Sequence, residues 1–269
     1  MELSVDKIRG FLPDNHPWAN TIAYFDTIDS TNTHAKALAA AGAPHGTVLI
    51  ANHQTGGRGR MGRSFHSPVG SGIYLSVILR PDHLPGELMH LTCAAGAAMC
   101  EAVESATGLC PGIKWINDLV WEGKKLGGIL AELSLDPTSG KCAYAVVGIG
   151  INCSQNAGDF PPEIAQIATS LKQITGETID RSRLAAAMIK ELHSMSENLV
   201  YGKESIMDFY RSHCVTIGKA VSVHRFDEVR HGTAMDMDAD GGLIVRFSDG
   251  SIQTVSAGEV SVRGMYGYV

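Results

Sequence analysis

The sequence predicts an α+β protein followed by a small all-β module. Three observations carry that expectation. Up to about residue 215, short apolar runs of strand character are interspersed with longer segments of helical period. Beyond Thr216 the chain turns to short alternating strands separated by Gly/Asp turns. The 269 residues are 44% hydrophobic and 19% charged, which excludes disorder and leaves ample chain to bury a core. We place a larger domain at 1–215 and a smaller one at 216–269.

Residues 1–20 carry little pattern and two prolines, Pro13 and Pro17, and read as a leading segment. TIAYFDTI (21–28) is strand-like. Asp29-Ser30-Thr31-Asn32 then supplies N-cap residue types before THAKALAAAG, which stops at Gly42 as helices often do. GTVLIANHQT (46–55) and SGIYLSVILRP (71–81) read as strands. Leu88, Leu91, Ala95, Ala98, Ala102 and Val103 recur at helical spacing between Pro85 and Gly108. IKWIND, LVWEG, LGGILAELSLD and CAYAVVGIGINC follow as successive strands, with turns at Glu122-Gly123 and 137–140. PPEIAQIATSLKQITG and RSRLAAAMIKELHSMSENLVYG read as helices. In the last fifty or so residues, GKAVSVHRF, GTAMDMD, GLIVRFSD, SIQTVSA and EVSVR are short strands with hairpin turns at 239–242 and 248–251, a barrel-like pattern.

Composition narrows the function. A net charge of −6 argues against chain-wide binding to nucleic acid or an anionic membrane, and only a local basic patch could do either. No apolar run approaches the ~20 residues that span a bilayer. The start, MELSVDKIRG, lacks a signal peptide's apolar region. None of the six cysteines forms a CxxC or a zinc-finger spacing, so a reducing, cytoplasmic compartment is expected.

Gly57, Gly59 and Gly62 form G-x-G-x-x-G after a strand, the spacing of a dinucleotide fingerprint. That fingerprint needs a helix to start at the loop, and RSFHSPVGSG cannot open one. The context rejects it. What remains is Arg58, Arg60 and Arg63, three fixed cations among glycines. Such a loop can cup an anion with backbone N–H groups and guanidinium forks, ordering around a polyphosphate. A solvated surface loop is the plain alternative for such a run on its own.

GRGRMGRSFHSPVGSGIYLS resembles the ligand loop of biotin–protein ligases. DSTN (29–32), KWINDLVW (114–121), KKLGGILAEL (124–133) and GIGINC (148–153) accompany it in the family's order. The resemblance runs from about residue 20 to GEVSVR near the C-terminus. It implies a class II synthetase-like α+β domain, a mixed sheet with packed helices, and then a small SH3-like β-barrel. It also implies the reaction. Biotin and ATP give biotinyl-5′-AMP and pyrophosphate with Mg²⁺, and biotin passes to a lysine of a biotin carboxyl carrier protein.

Residue by residue, the resemblance implies roles as follows. Ser30, Thr31, Asn32 and Gln54 contact biotin, although Ser30 or Thr31 is also placed to cap the next helix. Gly57, Arg58, Gly59 and Arg60 form the loop core and bind biotin; Arg58 and Arg60 also bind ATP, with Arg60 near the phosphates, and Arg63 and Phe65 face the nucleotide. Lys114 meets ATP phosphate, while Asn117 and its neighbour Asp118 position nucleotide or metal or simply make a turn. Lys125 lies between biotin and the α-phosphate, and Gly128 leaves room for the ligand. Asn152 is placed near the ribose and triphosphate. Lys125, Arg60 and Lys114 are the expected catalytic groups; no metal ligand is assigned.

Three positions depart from the family pattern: Met61 where an arginine is common, Phe65 where a tryptophan is, and Ile116 where a proline is. Only about twenty residues precede the first strand, so we expect a ligase without a DNA-binding domain, acting on neither DNA nor membrane. The resemblance also allows a homodimer. Two other readings compete. Lipoyl or octanoyl transfer uses the same fold, and an RNA-binding protein could use the Arg/Gly loop, against the acidic net charge.

Overall fold

In the computed structural model, which describes residues 3–225, 228–256 and 260–264, seven strands form one sheet. They are β1 (Ile22–Phe25), β2 (Thr47–Ala51), β3 (Gly72–Leu79), β4 (Gly112–Lys114), β5 (Asp118–Trp121), β6 (Lys124–Leu135) and β7 (Cys142–Asn152). Their order is β1-β2-β3-β7-β6-β5-β4. Only β1 and β2 run parallel, and they need a crossover, which the intervening helix supplies. The remaining neighbours are antiparallel, so the sheet is mixed. Glu122 and Gly123, both at positive φ (46° and 76°), make the tight turn that joins β5 to β6.

Among the described residues six α-helices accompany the sheet: α1 (Val5–Phe11), α2 (Thr31–Ala40), α3 (Leu91–Thr107), α4 (Leu171–Thr175), α5 (Arg181–Asn198) and α6 (Lys203–His213). Strand alternation assigns them to faces. Val48 and Ile50 of β2 join the large core under α1, α3, α5 and α6, whereas Leu49, Ile78 and Val146 pack with Ala35 and Ala39 of α2 on the other side. Burial on both faces explains why all eight residues of β3 are buried. The alanines of α3 (Ala94, Ala95, Ala98, Ala102) are buried too, and their small side chains permit close packing against α5. Gly108, at φ 77°, ends α3 in the left-handed conformation.

The five strands after residue 216 form a second sheet in the order β11-β10-β9-β8-β12. They are β8 (Ala220–Arg225), β9 (Glu228–Met237), β10 (Leu243–Phe247), β11 (Ile252–Val255) and β12 (Val260–Gly264), all paired antiparallel. Both expected hairpin turns are present. Asp238 accepts from the N–H groups of Asp240 and Gly242, and Asp249 from that of Ser251. The end of SIQTVSA, the start of EVSVR and the last five residues lie outside the described residues. A buried tryptophan joins the sheets: Trp115 Nε1 donates to Gly241 O at 2.9 Å, and its backbone N–H donates to Thr216 Oγ1 at 2.9 Å.

Three expectations need correction. The leading segment is part of the core: Ser4 caps α1, and Leu3, Ile8, Leu12 and Trp18 are buried. PPEIAQIATSLKQITG is helical only over Leu171–Thr175. Its middle pairs with β6 instead, through Lys125 N to Ile167 O (2.6 Å) and Thr169 N to Lys125 O (2.9 Å). Helix α6, for which no element was predicted, lies between α5 and β8 and buries Met207 and Tyr210.

Candidate active site

The floor of the main cavity is built where β6 and β7 run side by side. Gly128 faces Gly150 and Leu130 faces Gly148 in register, and all four line the cavity. Gly148 and Gly150 share a face because side chains alternate along a strand. They are glycine for a steric reason: a Cβ on Gly148 would strike the Asn32 side chain, and one on Gly150 the Phe65 ring. Thus α2 and the Arg loop both rest on bare backbone.

One end of the cavity is neutral and polar. Ser30 caps α2 from outside the helix, accepting from Thr33 N, so Thr31 and Asn32 occupy the first turn with their side chains inward and buried. Gln54 Oε1 accepts from Thr31 N at 2.8 Å and from Thr31 Oγ1 at 3.1 Å, while Gln54 Nε2 donates to Ser67 Oγ at 2.9 Å. Ser76, fully buried, lies 2.8 Å from Thr31 Oγ1 and 2.7 Å from Asn32 Oδ1. Asn32 Nδ2 donates to Leu130 O (3.2 Å) and to Glu132 Oε2 (3.1 Å). The same carboxylate meets Lys36 Nζ at 2.8 Å and Arg58 at 3.3 Å. Burial alone would raise the Glu132 carboxyl, but the hydrogen bonds from Lys36 and Asn32 and the Arg58 charge outweigh it and hold it below the usual carboxylate range.

The other end is cationic. The Arg loop doubles back on itself: Gly59 N donates to Arg63 O, and Phe65 N to Gly57 O. No α-helix opens there, only a single 3-10 turn at Arg60–Gly62, and β3 follows, as the rejection of the dinucleotide motif requires. Two of the loop's cations find protein partners within the fold: Arg58 on Glu132, and Arg60 donating to Asn117 Oδ1 at 3.2 Å. Burial, against the opposing pull of Asp118 and with help from Arg63, lowers the Arg60 guanidinium from its ordinary value. That value is so high that it stays a cation. Lys125 Nζ lies 2.6 Å from Asp118 Oδ1 and 6.0 Å from the centre of the Phe65 ring. The Trp115–Ile116 peptide bond is cis.

Most predicted site residues therefore converge. Ser30, Thr31, Asn32 and Gln54 line one end, and the loop residues Arg58, Gly59, Arg60, Arg63 and Phe65 line the cavity with Asn117, Lys125 and Gly128. Three do not line it. Gly57 is buried behind the loop, where a Cβ would meet Phe65 O and Ser67 Oγ. Asn152 is buried, donating to Thr169 O and accepting from Gln155. Lys114 ends β4, half-buried and in register with Asp118.

Comparison with known proteins decides the family. The sequence model of the "Biotin/lipoate A/B protein ligase family" matches residues 24–152, and that of the "Biotin protein ligase C terminal domain" matches 216–263. The biotin–[acetyl-CoA-carboxylase] ligase of Mycobacterium tuberculosis is 36% identical over 239 residues, 86% of this chain and 85% of that protein. The chain belongs to the biotin protein ligase family. The bifunctional ligase/repressor BirA of Bacillus subtilis is 35% identical over 237 residues, 88% of this chain and 72% of that protein. Among solved structures, the biotin protein ligase of Aquifex aeolicus in complex with biotin and ATP superposes with a TM-score of 0.76 at 30% identity, covering 90% of this chain and 98% of that one.

Sequence reasoning passed over several residues of this biotin protein ligase fold that line or support the cavity. Ser76 was legible as a lone hydroxyl in the apolar strand GIYLSVIL. Gly148 and Gly150 could have been read from their spacing of two on a strand. Glu132 gave no local signal, because its partners are 74 to 100 residues away. Val262, on β12 of the second sheet, also lines the cavity.

Proposed function

We propose that this chain is a biotin–protein ligase whose cavity joins biotin to ATP and then delivers biotin to a carrier lysine. One observation carries the assignment of roles: a neutral hydrogen-bonding end (Thr31, Asn32, Gln54) and a cationic end (Arg60, Lys125) share a single cavity. Biotin has the same polarity, an uncharged ureido ring at one end and a carboxylate at the other. Plain acyl chains lack the ureido ring and would leave the Thr31–Gln54–Ser76 network unused, which favours biotin over lipoyl or octanoyl groups.

In the first half-reaction a biotin carboxylate oxygen attacks the α-phosphorus, and the bond from that phosphorus to the bridging oxygen of pyrophosphate breaks. Two anions must meet. Lys125, steadied by Asp118, and Arg60, steadied by Asn117, supply preorganised positive charge where that repulsion develops. In the second half-reaction the carrier lysine amine attacks the biotinyl carbonyl, AMP leaves and the amine loses a proton. The Arg loop keeps water from the anhydride meanwhile. Lys114 and Asn152 are assigned to the nucleotide end, beyond the cavity lining.

Among the described residues no group of three or more His, Cys, Asp and Glu side chains could hold a metal. Magnesium carried on a triphosphate needs fewer protein ligands, and Asp118 is the carboxylate on the lining that fits it. When bound, it neutralises phosphate charge. The proposal gives the chain no part on DNA and places it in the cytoplasm, where its six unpaired cysteines would stay reduced. No described helix is long and apolar enough to cross a membrane. Incubation of the protein with biotin, ATP, magnesium and a purified carrier domain should add one biotinyl group to one carrier lysine, read by mass spectrometry. An unmodified carrier alongside active adenylation would confine the proposal to its first half.

A further inference from the structure

We propose that Glu132 is a positioning residue that fixes which end of the Asn32 amide faces the ligand, and so sets the selectivity for a ureido ring. The inference rests on the biotin reading given above and deepens it. The two ends of an asparagine amide are told apart only by their partners. On one side of Asn32 stand Leu130 O and Glu132 Oε2, at 3.2 and 3.1 Å, and both groups only accept. That side must be Nδ2. Both of its N–H donors are then used within the protein, and Oδ1 is left toward Ser76 and over the bare backbone of Gly148, which lines the cavity.

A ureido ring carries two N–H donors, so an acceptor is what the cavity has to offer it. A flipped amide would set donor against donor. Leu130 O alone does not forbid the flip strongly, because it would meet Oδ1 over a neutral contact. The ionised carboxylate does. Glu132 is itself kept ionised and in place by cations from two elements. Lys36 stands one turn after Asn32 on the same face of α2, and Arg58 reaches over from the loop. Glu132 need not touch the ligand to act.

The test measures the dissociation constant of biotin alone, by calorimetry, for the parent, Glu132→Leu and Glu132→Gln, with that of ATP taken on the same preparations. Glu132→Leu should weaken biotin about 10- to 100-fold, the range for one lost hydrogen bond to a buried group. ATP affinity should fall far less than biotin affinity even though Arg58 loses a partner, which a general structural defect would not permit. Glu132→Gln keeps a side-chain oxygen for Asn32 Nδ2 and should recover most of the loss. In an Asn32→Ala background Glu132→Leu should have no further effect on biotin, and this comparison replaces the first if the single variant fails to fold. Parent-like biotin binding by Glu132→Leu, an equal loss for ATP, or an undiminished effect without Asn32 would overturn the proposal. A parent that binds no biotin would instead sink the reading on which it rests.

Discussion

The Lys125 ammonium and the Asp118 carboxylate lie 2.6 Å apart on the cavity wall, whereas Lys124, one residue earlier on β6, points to solvent. The two lysines therefore test placement against mere charge. Lys125→Ala should abolish adenylate formation, because losing one preorganised charge at the reacting centre costs ~3–4 kcal/mol, or about 10²- to 10³-fold in rate. Lys124→Ala should change it by less than about 3-fold. Equal losses, measured as pyrophosphate release, would mean that diffuse positive charge suffices.

Arg60 donates to Asn117, whose Nδ2 donates in turn to Ile129 O at 3.0 Å, so this chain of bonds pins the loop to β6 beside the Arg58–Glu132 pair. Arg60→Gly removes that pin and loosens the backbone. Retention of the adenylate should suffer more than its synthesis, since Lys125 still faces the phosphate. Escaped biotinyl-5′-AMP acylates exposed lysines, so the variant should label bystander proteins that the parent ignores. Loss of carrier labelling with no bystander labelling would assign Arg60 to synthesis.

The Arg loop closes on itself through few backbone bonds, and Met61 sits at its tip, exposed and at φ 56°. Amide exchange over residues 56–67 should slow when biotin or its adenylate binds. Exchange unaltered by ligand would place the exclusion of water elsewhere.

Away from the cavity, the cysteines should separate by reactivity. Its neighbour Cys100, against burial and with help from His213, lowers the Cys110 thiol to about 7, while burial pushes Cys153 up to about 12. The thiolate is the reactive form and grows as pH rises through the pKa. Iodoacetamide should therefore modify Cys110 first, at a rate half-maximal near pH 7. Peptide mapping that finds Cys110 as slow as Cys153 at that pH would contradict this.

What the sequence made legible was whatever its local pattern encodes. The cap at Ser30, the turn at Glu122-Gly123 and the apolar runs of β3 and β7 name their own structure within a few residues. The helix expected over PPEIAQIATSLKQITG failed because its middle gives its backbone bonds to Lys125, some forty residues earlier. No helical periodicity reveals such a partner. The same holds within the site. Lys125 and the arginines were found from motifs, but Glu132 and Val262 owe their places to contacts between distant strands and helices.

The central claim is that one cavity activates biotin with ATP. Pyrophosphate release by the purified chain, with ATP and magnesium and with biotin, octanoate or neither, measures this directly. The account predicts release that depends on biotin, with octanoate lower by at least about 100-fold, as for a site whose buried polar groups need a hydrogen-bonding substrate. Release equal for biotin and octanoate, or none with either, would contradict it.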